Sequence, residues 1–170
     1  GKGIEIIEKV SRRLPEISFH IYGDLSISDF KNKKINKNNF HFFNYVKYNE
    51  IPKVMSKYEV MLMPYLNNVT VRSNNLDTAK YMSPLKLFEY LSMSKILIAS
   101  DLEVYSHILK NNQNSILIKP HNINEWCLKI RYVFNNLKKL QYLKNRALST
   151  AKKYTWDQRV EKIFNHSETR

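Results

Sequence analysis

Ser83, Lys86 and Glu89, in the run Ser83-Pro84-Leu85-Lys86-Leu87-Phe88-Glu89-Tyr90-Leu91, are the residues whose types and spacing point most directly to chemistry. Ser83 suits a helix N-cap, because its hydroxyl can accept from a backbone N–H one turn in. Pro84 suits the first helical position, where a missing N–H costs nothing. The N–H groups of Leu85 and Lys86 then point out of the helix start, at the positive end of its dipole, and favour an anion. Lys86 adds a mobile cation at the same place. Glu89 follows about one turn later and offers two acceptor oxygens. The competing reading of Glu89 is a solvated surface charge. The competing reading of Lys86 is a solvent-facing lysine whose cation slightly opposes the dipole, a conflict that an anionic ligand would remove. Leu85, Leu87, Phe88 and Leu91 read as packing residues, each contributing roughly 1.5–3 kcal/mol when buried.

The elements that must position these groups alternate along the chain. Ile4, Ile7, Val10 and Leu14 recur at helical spacing and stop before Pro15. Residues 17–22 alternate like a strand and end at Gly23-Asp24; 40–43 is a short strand and 49–57 a short helix with Pro52 in its first turn. Residues 59–63 form an apolar, central-type strand ending at Pro64. Residues 67–79 are polar and free of Pro and Gly, a long functional loop. After the helix over 84–93 come a buried strand over 95–99, a helix over 103–110, a strand over 115–118, and helices over 123–137, 139–153 and 156–165. Strands alternating with helices imply βαβ units, so the expected fold class is α/β, a doubly wound Rossmann-like parallel sheet with a helical C-terminus. Ligands of such sheets bind beyond the carboxyl ends of the strands. That directs attention to Gly23-Asp24, Asn44-Tyr45-Val46, Pro64-Tyr65 and Ser100-Asp101, together with the Ser83 helix start. Because such a domain normally opens with a central strand, Gly1-Lys2-Gly3 reads as the turn after a strand that precedes it, and the 170 residues as one N-terminally truncated domain.

Composition narrows the class. A hydrophobic content of 43% supports a packed core and argues against disorder. The single cysteine, Cys127, excludes an internal disulfide framework and reads as a small buried hydrophobe in a reducing cytoplasm. No apolar run approaches the roughly 18 residues of a membrane span. The formal charge of +13 has three readings: drift toward Lys, Asn and Ile in an AT-rich coding sequence, peripheral attraction to anionic lipid on the inner face of the membrane, or nucleic acid. The last is weakest, because the basic residues are dispersed and no zinc-finger or RNA-recognition spacing accompanies them, so no nucleic-acid partner is expected.

Taken in order, these motifs resemble the C-terminal, donor-binding half of the retaining GT-B glycosyltransferases, the glycogen-synthase-like family. Gly1-Lys2-Gly3-Ile4-Glu5 is similar to the family's turn into its first helix. Phe19-His20-Ile21-Tyr22-Gly23-Asp24 resembles the next strand and its glycine-ended loop, and Phe43-Asn44-Tyr45-Val46 the segment against the nucleobase. Ser83 to Leu91, running on to Ala99-Ser100-Asp101, resembles the signature helix and its following strand, and Tyr154-Thr155-Trp156 with Arg159 the entry to the closing helix. The resemblance covers essentially the whole chain. It implies that Gly23, Asp24, Val46, Ser83, Leu85, Lys86 and Glu89 bind a nucleoside-diphosphate sugar. Glu89 would accept from the ribose hydroxyls, and the N–H groups of Leu85 and Lys86 would hold the diphosphate. Lys2 is the implied catalytic residue, neutralising charge on the leaving nucleoside diphosphate. Tyr81 stands where the family has the first glutamate of its Glu-x7-Glu motif, and Pro84 where it usually has Gly. The family's arginine partner would lie upstream of Gly1.

The implied function is retaining, metal-independent transfer of a sugar to a glycan, lipid or polysaccharide acceptor, with no cofactor. The acceptor would be held by an N-terminal domain outside this chain, so the chain alone is expected to be inactive. Two other readings are a nucleotide-sugar epimerase of the same fold and a non-catalytic basic module that docks on a membrane or a partner. The first would need an acid/base pair that the chain does not display. A nicotinamide dehydrogenase is disfavoured because no Gly-x-Gly-x-x-Gly follows a strand. The five histidines lack ligand spacing and read as structural or solvated, His41 alone lying beside the base-loop candidate. Asp101-Leu102-Glu103 resembles a metal-binding pair only superficially. Trp126 and Trp156 read as packing anchors.

Overall fold

A computed structural model of the chain describes residues 3–23, 38–66 and 85–167. Helix α1 (Ile4–Arg13) turns Ile6, Ile7 and Val10 inward, with Leu14 closing its end, all almost fully buried. Glu5 in its first turn and Arg12 and Arg13 in its last turn complement the helix dipole. The chain then enters β1 (Phe19–Tyr22), which pairs in parallel with β2 (Phe40–Phe43) in the register Phe19 to Phe40. Asn39, buried just ahead of β2, ties this corner together. Its side-chain amide donates to the carbonyls of Ser11, Leu14 and Ile17 at 2.8–2.9 Å, satisfying groups that the end of α1 leaves without helical partners.

A 3₁₀ turn (Tyr48–Glu50) leads into α2 (Ile51–Ser56), with Pro52 in its first turn as the sequence requires. Strands β3 (Val60–Met63), β4 (Ile96–Ser100) and β5 (Ile116–Ile118) form a second parallel sheet in that order. Every residue of β4 is buried, as a central strand covered on both faces must be. Helix α3 (Leu85–Ser92) lies between β3 and β4 in sequence, and α4 (Ile123–Asn135), α5 (Gln141–Ala151) and α6 (Trp156–Ser167) complete the chain. Asn122 caps α4 by accepting from the Glu125 amide at 3.1 Å, and its side-chain amide donates back to the Glu125 carboxylate.

Two apolar layers cover the sheets. One gathers α1 and α4 with Phe19, Phe40, Ile96, Ile98, Ile116 and Ile118. The other gathers α3 with Met55, Met61, Met63, Leu97 and Ala99. Strands with opposite faces buried by different helices make the doubly wound α/β arrangement expected from the sequence.

Three details differ from the sequence reading. The strands fall into two parallel sheets, β1–β2 and β3–β4–β5, which share the first apolar layer but are not hydrogen-bonded to each other among the described residues. Residues 103–110 are not a helix but a 3₁₀ turn (Glu103–Tyr105) followed by turns, because Asn114 intervenes. Its side chain donates to the Ile108 carbonyl and accepts from the Lys110 amide, each at 2.8 Å, taking groups that a continuing helix would need. Trp126 is fully buried as anticipated, whereas Trp156 is 73% exposed on α6 and anchors no core.

Candidate functional site

The carboxyl ends of the parallel strands define the functional rim. Gly3 fixes one edge of it. With φ of +71°, it stands in the left-handed region, and a Cβ there would lie 1.7 Å from the carbonyl oxygen of Pro64. Only glycine lets the start of α1 sit directly on the exit of β3. Its carbonyl accepts from the Ile6 amide at 3.0 Å, opening the helix at that contact. Gly3, the last residue of the Gly1-Lys2-Gly3 run of the sequence reading, thus stands at the rim, and Gly1 and Lys2 lie outside the described residues.

Helix α3 supplies the second edge. Leu87 and Leu91, one turn apart, are buried and fasten it to the sheet. Phe88 packs with its ring centroid 5.7 Å from that of Tyr154. The face opposite carries Lys86, which is exposed, and Glu89, which is half-buried one turn further in. Leu85 is 67% exposed, so it is not a core residue. Two positions before the inward-facing Leu87, the helical rotation carries it away from the sheet. Its expected contribution is through the backbone, since the first amides of a helix have no intrahelical acceptor. Ser83, Pro84 and Tyr81 lie outside the described residues, as does Asp24.

Behind Glu89 the helix packs against tyrosines. The Tyr90 hydroxyl is pushed up to about 12 by burial, then by Tyr65 and by the Glu89 carboxylate, so it stays protonated beside that charge. Tyr65, which leaves β3, and Tyr105 are buried and likewise shifted upward, by burial first. The Tyr105 hydroxyl and the Ser100 hydroxyl at the end of β4 are buried without a hydrogen-bond partner among the described residues. Ser100 belongs to the Ser100-Asp101 exit that the sequence pointed to, whereas Tyr105 did not stand out, because its place against the rim depends on packing between elements distant along the chain.

Gly23 and Val46 mark the same end of the other sheet. The Gly23 amide donates to the Phe43 carbonyl at 3.1 Å, extending the ladder by one bond past β1, and Val46 is half-buried after β2. The structure therefore puts Gly23, Val46, Leu85, Lys86 and Glu89 at the carboxyl ends of their strands or on the helix that follows one. Beneath Gly23, the ring of Tyr22 stacks on Phe43 at 4.8 Å, and Tyr58 brings its hydroxyl within 2.7 Å of both Tyr22 and His20. His20 also meets His41 edge-on at 5.0 Å. The alternation of His20 with Tyr22 was the available sequence signal for this cluster. Among the described residues, no group of three or more His, Cys, Asp or Glu side chains has the arrangement of a metal site.

Comparison with known proteins bears on this arrangement. The chain is 27% identical over 137 residues to a poly(ribitol-phosphate) α-N-acetylglucosaminyltransferase of Staphylococcus aureus (strain COL), a match that covers 78% of this chain and 25% of that protein. The crystal structure of TarM superposes with a TM-score of 0.72 at 24% identity, over 95% of this chain and 31% of that one. A glycosyltransferase from Rickettsia africae ESF-5 gives a TM-score of 0.77 at 15% identity, over 96% of this chain and 43% of the other. Anabaena Alr3699/HepE in complex with UDP gives 0.76 at 15% identity, over 99% of this chain and 46% of the other. The chain thus spans about a quarter to just under half the length of these proteins, and the structural likenesses establish a shared GT-B-type fold. The family model for glycosyl transferases group 1 matches residues 2–150, from the turn before α1 to the end of α5, and the chain belongs to that family.

Proposed function

We propose that this chain is the donor-binding part of a glycosyltransferase that takes a sugar from a nucleoside diphosphate and passes it to a glycan, lipid or polysaccharide acceptor. The observation that carries the proposal is the placement of α3. In sequence it follows β3, an outer strand of the parallel sheet β3–β4–β5 among the described residues, with Lys86 exposed at the start of the helix and Glu89 one turn in. The first amides of the helix and the Lys86 ammonium favour a diphosphate, and Glu89 offers charge-assisted acceptance to ribose hydroxyls, worth roughly 1.5–3 kcal/mol. The Staphylococcus relative, named for transfer of N-acetylglucosamine to poly(ribitol phosphate), and HepE, solved with UDP, support a uridine nucleotide donor and a polymeric acceptor.

In the reaction, the bond between the anomeric carbon and the diphosphate oxygen breaks. Charge then collects on the departing diphosphate, which the helix start and Lys2 stabilise. The acceptor hydroxyl forms the new bond on the same face of the sugar and gives its proton to the departing diphosphate oxygen, so the configuration is retained. Positive charge from side chains and helix amides serves the diphosphate without a metal, and no cofactor takes part. The acceptor is held by a domain beyond these residues, and the charge of +13 supports a cytoplasmic enzyme in peripheral contact with anionic membrane.

Isothermal titration of the folded chain with UDP, GDP and their sugars tests this reading. UDP binding is the expected result. Glu89→Ala should weaken UDP roughly tenfold or more while leaving inorganic pyrophosphate binding nearly unchanged, since only the nucleoside half contacts the carboxylate. No heat with any nucleotide from a folded sample would sink the proposal.

A further inference from the structure

The amino ends of the strands carry a second charged surface, facing away from the rim. Helix α5 lies across this end and touches the entry of three strands. The Lys144 ammonium pairs with Glu59 just before β3. The Ser94 hydroxyl, before β4, donates to the Lys144 carbonyl at 3.1 Å, and the Asn114 side chain, before β5, donates to the Thr150 hydroxyl at 3.0 Å. With that side of α5 turned to the sheet, the opposite side faces out. Tyr142, Asn145, Arg146 and Ser149 are exposed there at helical spacing. Lys138 and Lys139 in the turn before α5, and Lys152 and Lys153 after it, are exposed as well. No Asp or Glu occurs between Glu125 and Asp157.

More lysines reach the same end from other elements. Lys95 precedes β4 and donates to the Ser56 carbonyl at the end of α2 at 3.1 Å. The Lys110 amide donates to Asn114 at the entry of β5. Glu59, the carboxylate at the entry of β3, is already paired, and Lys144 holds it below the usual carboxylate range through their hydrogen bond. At the carboxyl end the described residues are mixed in sign: Glu5, Asp101, Glu103 and Glu125 lie in first turns of helices or after strands there, together with Lys47, Lys86 and Lys119. Helix dipoles explain cations in a last helical turn, but not Lys138 and Lys139 ahead of α5 or Lys95 and Lys110 in turns.

We propose that this end of the domain, centred on α5, docks on an anionic lipid bilayer and turns the donor rim away from it. This gives a surface to the membrane contact proposed above and does not depend on the nucleotide reading. The shape selects the occupant. Arg146 lies on the outer side of α5, and Lys138, Lys139, Lys152 and Lys153 lie in the turns at its two ends, a spread along the helix that suits an extended anionic surface, whereas a single-stranded polyanion is held in a groove. Phe134 and Tyr142, 49% and 40% exposed, flank the Lys138–Lys139 turn and offer rings to the headgroup layer.

Co-sedimentation of the full chain with vesicles tests this. Binding to phosphatidylglycerol–phosphatidylcholine vesicles at low salt is expected, with none to phosphatidylcholine alone and loss at high salt. The combined substitutions Lys138→Glu, Lys139→Glu and Arg146→Glu should lower partitioning about tenfold or more, whereas Lys119→Glu at the other end should not. Circular dichroism and UDP titration of the same variants read fold and donor site separately, and both should be unchanged. If the triple variant unfolds, Lys152→Gln with Lys153→Gln, past the end of α5, probes the same surface and should also weaken partitioning. Undiminished partitioning of a folded variant, or a folded chain that ignores anionic vesicles, overturns the proposal. Retention by heparin without vesicle binding overturns it in favour of a soluble polyanion.

Discussion

His20 shows how a single residue reports its surroundings. Its ring is held below its ordinary value of 6.5 by burial first and by the neighbouring His41 second, although part of the residue reaches solvent. Tyr58, 2.7 Å from its Nδ1, is shifted upward by burial and by its hydrogen bond to Tyr22, so no anion forms there to favour the imidazolium. In the folded state the ring takes its proton at lower pH than in the unfolded chain. The stabilisation is therefore complete above pH 6.5 and is lost as pH falls through the lower folded value. NMR titration of the His20 ring should give a midpoint below 6.5, with denaturant midpoints falling as the pH goes from above 6.5 to below that midpoint. A ring midpoint at or above 6.5 contradicts the account. Strand-like alternation put His20 in step with Tyr22, but nothing local to it announced the contact with Tyr58, 38 residues away. Lys86 and Glu89 were legible because their neighbours Leu87 and Leu91 fix the helix face on which they stand. Leu85 was misread as core, because its apolar type said nothing about which way the helix turns it.

Gly3 acts at the junction of two elements. The start of α1 touches the exit of β3 so closely that a methyl group would overlap the Pro64 carbonyl, and the backbone is left-handed there. Gly3→Ala should cost roughly 1–2 kcal/mol from the backbone angle alone, with the overlap adding to it. A fall in the urea midpoint measures that cost, and an unchanged midpoint would mean that α1 does not need this contact. Weaker UDP binding should accompany the loss, since β3 leads toward the helix that carries Lys86 and Glu89. The helices and strands themselves were largely legible, because period-3.6 and apolar-run patterns follow from which faces must be buried. The segment 103–110 was not. Its ordering depends on Asn114, whose side chain claims the carbonyl of Ile108 and the amide of Lys110.

The whole molecule is a parallel α/β unit whose two sheets differ in protection. Strand β4 has partners on both sides and no exposed residue, whereas β1–β2 is a two-stranded sheet with His20 and Phe43 exposed. Two-stranded sheets depend on what covers them. In native-state hydrogen exchange, amides of β4 should therefore be the slowest and those of β1 and β2 should exchange through smaller openings. Equal protection of the two sheets would show one cooperative unit instead. The proposed nucleotide rim and the basic surface of α5 stand at opposite ends of the strands. The charge of +13 was plain from composition, but the meeting of Lys95, Lys110 and the lysines around α5 at one end of the strands was not, because they are spread over residues 95–153.

By itself the sequence determined most of the helices and strands, the parallel α/β class, and the positions of Lys86 and Glu89 one turn apart on α3. Those features arise from local periodicity and from neighbours a few residues apart. The tertiary structure alone decided the division into two sheets among the described residues, the seating of Gly3 on Pro64, the polar cluster of His20, Tyr22 and Tyr58, and the meeting of Lys95, Lys110 and the lysines around α5 at one end of the strands. Each of these depends on which distant segments pack together, and a linear pattern of residue types does not encode that contact.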